Sequence, residues 1–210
     1  MTRRGSELRE HILWTAKDVF IETGYERTSM DMVAARAATS KRSLYAHFKT
    51  KDKLFLAVIE LVRELYLDQI KTPGHYADTT VDAVVLFCAR FLQILLWTPV
   101  LRTCRLCIAE ADRLPQASAQ YYDTYFTATH ERLAAFLAER CQLHSAISIN
   151  IAHELLALTV YPRFARALFG VEETLTELPD ATAIAADLDL APIRKVVTAL
   201  LPSTEVTPRS

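Results

Sequence analysis

At 210 residues, 51% of them hydrophobic, the chain is long enough to bury a substantial core in two structural units, and its formal net charge of −1 argues against general coating of nucleic acid. Only four glycines and little strand-like alternation exclude a sheet-based fold and leave an all-α one. Charge is unevenly spread. Residues 1–54 hold 11 Lys and Arg against 7 Asp and Glu, a net of +4, and the remainder holds 13 against 18, a net of −5. That split suits a protein that touches phosphates with one end only.

The opening MTRRGSELRE has no apolar signal core, so the expected location is the cytoplasm. Arg3 and Arg4 form a basic leader that either reaches a minor groove or is an ordinary terminus. Ile12, Leu13, Ala16, Val19 and Phe20 make the apolar side of a first helix of about five turns, with Gly24 as its C′ stop. Thr28 followed by Asp31 has capping-box spacing, and Met30, Val33, Ala34 and Ala37 continue one apolar stripe. Ala37-Ala38-Thr39 interrupts that stripe, and Ser40 is a second N-cap. Leu44 and Phe48, four apart, then face inward, leaving Lys41, Arg42, Ser43 and Tyr45 on other faces. Thr50 is a third N-cap, with Asp52 in the first turn. Two short helices across a tight turn hold the second one ready for a major groove, which at about 12 Å wide admits an α-helix.

These residues resemble the TetR family of transcriptional regulators. The likeness rests on Ile12, Ala16 and Phe20 followed by Gly24-Tyr25, on Thr28-Ser29, and on Ser40-Lys41-x-x-Leu44-Tyr45-x-His47-Phe48 followed by Lys51-x-x-Leu54-Phe55. The resemblance implies a helix-turn-helix DNA-binding domain over residues 6–66, with the motif at about 29–48, and a helical ligand-binding and dimerisation domain over 67–203. It implies DNA contacts from Thr28, Ser29, Thr39, Ser40, Lys41, Arg42, Ser43, Tyr45, His47 and Lys51, among which Thr28, Tyr45, His47 and Lys51 grip phosphates. Arg42 is the base reader of choice, because its fork matches guanine O6 and N7 together. One departure stands out: the family usually has Gly where this chain has Ala38. A left-handed Ala there costs about 1 kcal/mol relative to Gly.

Beyond residue 55, Leu54, Phe55, Val58, Ile59, Leu61, Val62 and Leu65 continue a long helix that ends before Thr72-Pro73-Gly74. Further helices are expected over about 78–97, from Pro99 to Pro115, over 116–141, over 146–169, and from Pro192 onward. AVVLFCARFLQILLW at 83–97 contains Arg90 and Gln93 and stops at Pro99, so it reads as a buried helix and not a membrane span. RLCIAEADRLPQ is similar to ligand-domain sequence of an AefR-like branch of the family. The resemblance implies a small-molecule pocket, for which Phe87, Arg90, Phe91, Arg105, Tyr122, Tyr125, Phe126 and Tyr161 are candidates; their aromatic character points to a hydrophobic or aromatic effector. Residues 146–169 are apolar on nearly all sides, and the last helix has a clean stripe. The resemblance implies that this pair packs on its copy as a four-helix bundle, with Leu155, Ile193, Val196, Val197 and Leu200 at the interface. Residues 170–190 are an acidic connector.

The resulting expectation is a homodimeric regulator that is not an enzyme, more specifically a repressor released from a palindromic double-stranded DNA operator by its effector, with no cofactor and no metal. Two alternatives stay open: an activator of the same fold, and a metal-binding helical-bundle enzyme. Cys104-x-x-Cys107 and Cys141-x-x-His144 have zinc-type spacing, but their helical context reads as packing. Glu110, Asp112, His130, His153 and Glu154 are acid–base candidates, yet HELL at 153–156 lacks the second His of a zinc-protease helix.

Overall fold

The computed structural model describes residues 3–201, without the side chains of Arg3, Arg4, Leu67 and Asp68. The arm role of Arg3 and Arg4 and the domain end at 203 therefore lie outside the described residues. Among the described residues the protein is helical without a named strand, and a single parallel bridge joins Trp97 to Leu175. None of these helices is long and apolar enough to cross a membrane.

The chain divides into two compact units. One runs to Tyr66 and also takes in Arg102–Tyr125; the other takes in Leu67–Leu101 and resumes at Phe126. In the first unit, α1 (Arg3–Thr23) closes on Gly24, whose φ of +79° is open to glycine and whose N–H reaches Phe20 O at 2.9 Å. Helix α2 (Met30–Arg36) starts on Ser29, not Thr28: Ser29 Oγ accepts the Met32 N–H at 3.1 Å. Thr28 is instead 2% exposed, with its hydroxyl donating to Gly24 O at 2.7 Å. Helix α3 (Lys41–His47) starts on Ser40, which accepts the Ser43 N–H at 3.0 Å. Helix α4 (Lys51–Gln69) starts after Thr50, which accepts the Lys53 N–H at 3.2 Å.

Ile12, Leu44, Leu54 and Phe55 are fully buried, and Phe20 stacks on Tyr25 with centroids 5.9 Å apart while Phe55 meets both rings edge-on. Helices α6 (Thr98–Ala109) and α7 (Pro115–Tyr122) contribute most of the unit's second segment. Sequence reading places Arg102–Tyr125 with the C-terminal domain, whereas here it is tied to α1–α4. Arg113 pairs with Glu26 and lies 4.8 Å over the Tyr25 ring, Gln120 donates to Glu60, and Tyr125 packs on Tyr66 with centroids 4.0 Å apart.

The second unit is built around α5 (Thr80–Leu96), capped by Thr79 accepting the Asp82 N–H at 3.2 Å and buried at every position from Phe87 to Leu96. Helices α9 (Ser145–Thr159), α10 (Tyr161–Leu168) and α11 (Ala191–Leu200) pack on α5, and α8 (Ala128–Arg140) packs on α9. Two expected long helices are broken. The 116–141 span is interrupted by a π turn at Asp123–Thr127. The 146–169 span breaks at Val160, because Pro162, in the first turn of α10, has no N–H to continue the ladder. Nor is α9 enclosed all round. Ser148, Ala152, Leu155, Leu156 and Thr159 form its buried side, and Ile147, Ile149 and Leu158 are exposed.

Candidate nucleic-acid interface

The turn between α2 and α3 decides how α3 is presented. Thr39 N–H bonds Ala34 O at 3.0 Å and Ala38 N–H bonds Ala35 O at 3.1 Å, the paired bonds of a Schellman stop, and Ala38 takes the left-handed conformation with φ of 48°. His11 Nε2 lies 3.2 Å from Ala37 O, fastening the turn to α1. Leu44 at 0% and Phe48 at 4% exposure fix the inner side of α3. Its outer side then carries Lys41, Arg42, Tyr45 and the N-cap Ser40, all exposed, with Ser43 half-buried.

These outward groups differ in how far they are committed. Lys41 Nζ is 2.6 Å from Asp31, and that hydrogen bond holds its ammonium above the ordinary lysine pKa. Ser40 and Ser43 share a bond of 2.9 Å between hydroxyls. Arg42 is exposed and makes no hydrogen bond or ion pair among the described residues, so its guanidinium fork faces solvent with its donors available. Tyr45 is 46% exposed, Ser29 is exposed and Thr39 half-exposed. His47 is half-buried with Nδ1 enclosed and unbonded. Such a face offers cations and hydroxyls to phosphates and one fork to a base edge.

Two expected phosphate contacts depart from the expectation. Thr28 is buried with its hydroxyl bonded inside the unit, as above. Lys51 Nζ donates to the carbonyl oxygens of Tyr25 at 2.9 Å and Thr28 at 3.0 Å and lies 4.2 Å over the Tyr25 ring, so its charge serves the loop between α1 and α2. Spacing along the chain cannot reveal this, because the carbonyls come from more than twenty residues upstream.

The expected pocket residues do not converge as one set. Phe91, Phe126 and Tyr161 do join one aromatic cluster in the second unit, with Phe126 6.2 Å from both Phe91 and Tyr161 and 5.7 Å from Phe164. His130 extends it. Its Nδ1–H donates to Phe126 O at 2.7 Å, which leaves Nε2 to accept the Tyr161 hydroxyl at 2.9 Å; burial lowers its pKa from 6.5. Phe87 instead meets Tyr76, and Arg90 is fully buried with carbonyl partners. Arg105, Tyr122 and Tyr125 belong to the first unit, the first two exposed.

The interface set is also split. Leu155, Ile193 and Val197 are at most 3% exposed inside the monomer, while Val196 and Leu200 are half-exposed. Among the described residues no three His, Cys, Asp or Glu side chains are grouped as metal ligands. All four cysteines are free, and burial pushes the Cys104 and Cys107 thiols up to about 12. His144 caps α9.

Residues 12–58 match the model of bacterial regulatory proteins of the tetR family, and residues 83–190, half of the chain, match the C-terminal domain of AefR-like transcriptional repressors. The chain belongs to the TetR family. The relatives it matches are helix-turn-helix transcriptional regulators. Among these is the regulator QacR of Staphylococcus aureus, 38% identical over 38% of this chain and 43% of QacR, so the chain spans less than half of that relative. The regulator UidR of Escherichia coli is 29% identical over 67% of each chain. A solved TetR-family regulator from Mesorhizobium loti shares the fold across 96% of each chain, with a TM-score of 0.75 at 23% identity.

Proposed function

We propose that this TetR-family regulator is a homodimeric repressor whose two α3 helices read a palindromic operator and whose grip is released by a small hydrophobic or aromatic effector. The observation that carries the reading is the outward side of α3, where Arg42 stands exposed and uncommitted opposite the buried Leu44 and Phe48. One seven-residue helix offers few base contacts, and a two-fold dimer doubles them over half-sites about 34–36 Å apart.

The dimer surface is the exposed side of α9 that carries Ile147 and Leu158, joined by Phe169 and the half-exposed Val196 and Leu200. Apolar side chains grouped on one helix face are the mark of an interaction surface. Arg42 reads a base, and Ser40, Lys41, Ser43 and Tyr45 contact bases or phosphates. The aromatic cluster of Phe91, Phe126, Tyr161 and Phe164 is the effector seat, and a coupling of about 1–3 kcal/mol between effector and operator is enough for several-fold induction. On this reading the protein is cytoplasmic and no enzyme.

Selection of bound sites from random duplex DNA tests it. The expected outcome is an inverted repeat with half-site centres one helical turn, or a multiple, apart. Enrichment of a single asymmetric site, or of none at modest ionic strength, overturns the reading.

A further inference from the structure

Helix α5 carries Arg90 and Gln93 in an otherwise apolar run and ends on its C-cap Trp97, so that the three stand at i, i+3 and i+7, a spacing that puts them along one stripe. Both ends of that stripe are fastened to the irregular segment between α10 and α11. Trp97 Nε1–H donates to Thr176 O at 3.3 Å, and Arg90 Nη1 donates to Pro179 O at 2.9 Å and Ala183 O at 3.3 Å. Other bonds strap the same segment down: Thr98 N–H to Leu175 O at 2.8 Å, Leu175 N–H to Leu96 O at 2.9 Å, and Tyr76 hydroxyl to Ala181 O at 3.3 Å. Gln93 sits between the two anchors. It is fully buried, and neither its Oε1 nor its Nε2 has a hydrogen-bond partner.

A buried side-chain amide normally finds partners, and one left without them keeps the whole cost of leaving water. Leu or Met would fill the same volume without that cost. The flanking residues on α5, Leu92 and Ile94, are buried and apolar, and Arg90 already donates to the Gln69 carbonyl and side-chain oxygens as well as to the strap. A carboxylate would only accept and an ammonium would only donate, so either would leave one amide atom of Gln93 unsatisfied, whereas a neutral donor–acceptor pair would satisfy both at once.

We infer that Gln93 is the reading group for an uncharged ligand held beneath the strap at 174–183, and that the ligand presents a hydrogen-bond donor and acceptor side by side, as a lactam or other cis-amide edge does. The inference goes beyond the effector seat proposed above: Phe91 and Gln93, two apart, face opposite sides of α5, so this is a second site in the same unit. The strap is the part that yields to admit the ligand, since its own bonds fall on either side of Gln93 and none falls on it.

The test is thermal unfolding of the full chain without DNA, in the presence of 2-quinolinone, a bicyclic lactam, or of N-methyl-2-quinolinone, which keeps the rings and carbonyl but lacks the N–H. The lactam is expected to raise Tm and its N-methyl derivative to raise it far less. In Gln93→Met that difference disappears, and the ligand-free variant melts above the wild type. Equal shifts for the two compounds, no shift with the lactam, or a ligand-free Gln93→Met that folds but melts lower than wild type overturns the inference. Should Gln93→Met fail to fold, the side-chain amide resonances of Gln93 in the wild-type protein decide. They move with the lactam and stay put with the N-methyl compound if the inference holds, and any other pattern refutes it. Release of operator is scored separately. Lactam binding at Gln93 with undiminished operator affinity upholds this site and removes only its regulatory role; release by other compounds with Gln93 silent removes this site alone.

Discussion

The outer faces of α3 and α9 are both exposed, and they are exposed for opposite physical reasons. On α3 the exposed groups are Ser40 at the cap, Lys41, Arg42 and Tyr45, which water solvates well and a phosphate or base edge solvates as well. On α9 they include Ile147 and Leu158, which water solvates poorly. The first face loses little by standing free and gains a partner of opposite charge. The second favours a partner like itself. On the proposed function, a reading head that must release its ligand and a joint that must hold thus carry different chemistry on helices of the same chain.

The comparison breaks most visibly if the support of α3 is removed. Leu44→Ala deletes a fully buried side chain beneath the recognition face and is expected to cost about 2–5 kcal/mol, abolishing operator binding while the second unit keeps its helices. Denaturant unfolding and circular dichroism check it. On the other side, Leu158→Glu places a carboxylate on the apolar face of α9 and is expected to weaken self-association about 100-fold or more, with the monomer fold intact. Sedimentation across a concentration series measures that shift, and an unchanged dimer moves the joint elsewhere.

Acid should act on the second unit through His130. Burial lowers its folded pKa below the ordinary 6.5, so between those two values the unfolded chain holds a proton that the native one does not. Stability is therefore full above about pH 6.5 and declines as pH falls through the lowered folded value. His130→Gln is expected to flatten that decline in melting experiments. Smallest is Ala38→Gly. Relief of the left-handed φ of 48° at the turn before α3 is expected to stabilise the protein by about 1 kcal/mol, or about 2–4 °C in Tm, with the sequence preference of α3 unchanged.

The reading head was largely legible because its signals are local. The Leu44 and Phe48 pair, the Ser40 cap and the Gly24 stop each act within about one turn, and Ala38 in place of a customary Gly pointed to a residue that, like Gln142 among the described residues, takes a positive φ without being glycine. Where a tertiary partner decides, the reading failed. Ser29 and not Thr28 caps α2 because the Thr28 hydroxyl is drawn to Gly24 O, and Lys51 turns to the carbonyls of Tyr25 and Thr28.

The body was legible as helices and poorly legible as sites. Apolar periodicity identifies a face to be covered without telling what covers it, which is why Leu155, Ile193 and Val197 belong to the monomer core and Ile147 and Leu158 do not. A buried arginine likewise suggests a ligand partner until its carbonyl partners are seen, as Arg90 shows with Pro179 and Ala183. Gln93 carried the reverse lesson: in the sequence it served only to argue against a membrane span, and its meaning lies in having no partner.

The most direct test of the account is the affinity of wild type and Arg42→Ala for every single-base variant of the selected duplex, at one fixed salt concentration. The expected result is a loss of about 1–3 kcal/mol with preference relaxed at one two-fold-related pair of positions and retained at all others. A uniform loss across every position, or none, would contradict the assignment of α3 as the element that reads the operator.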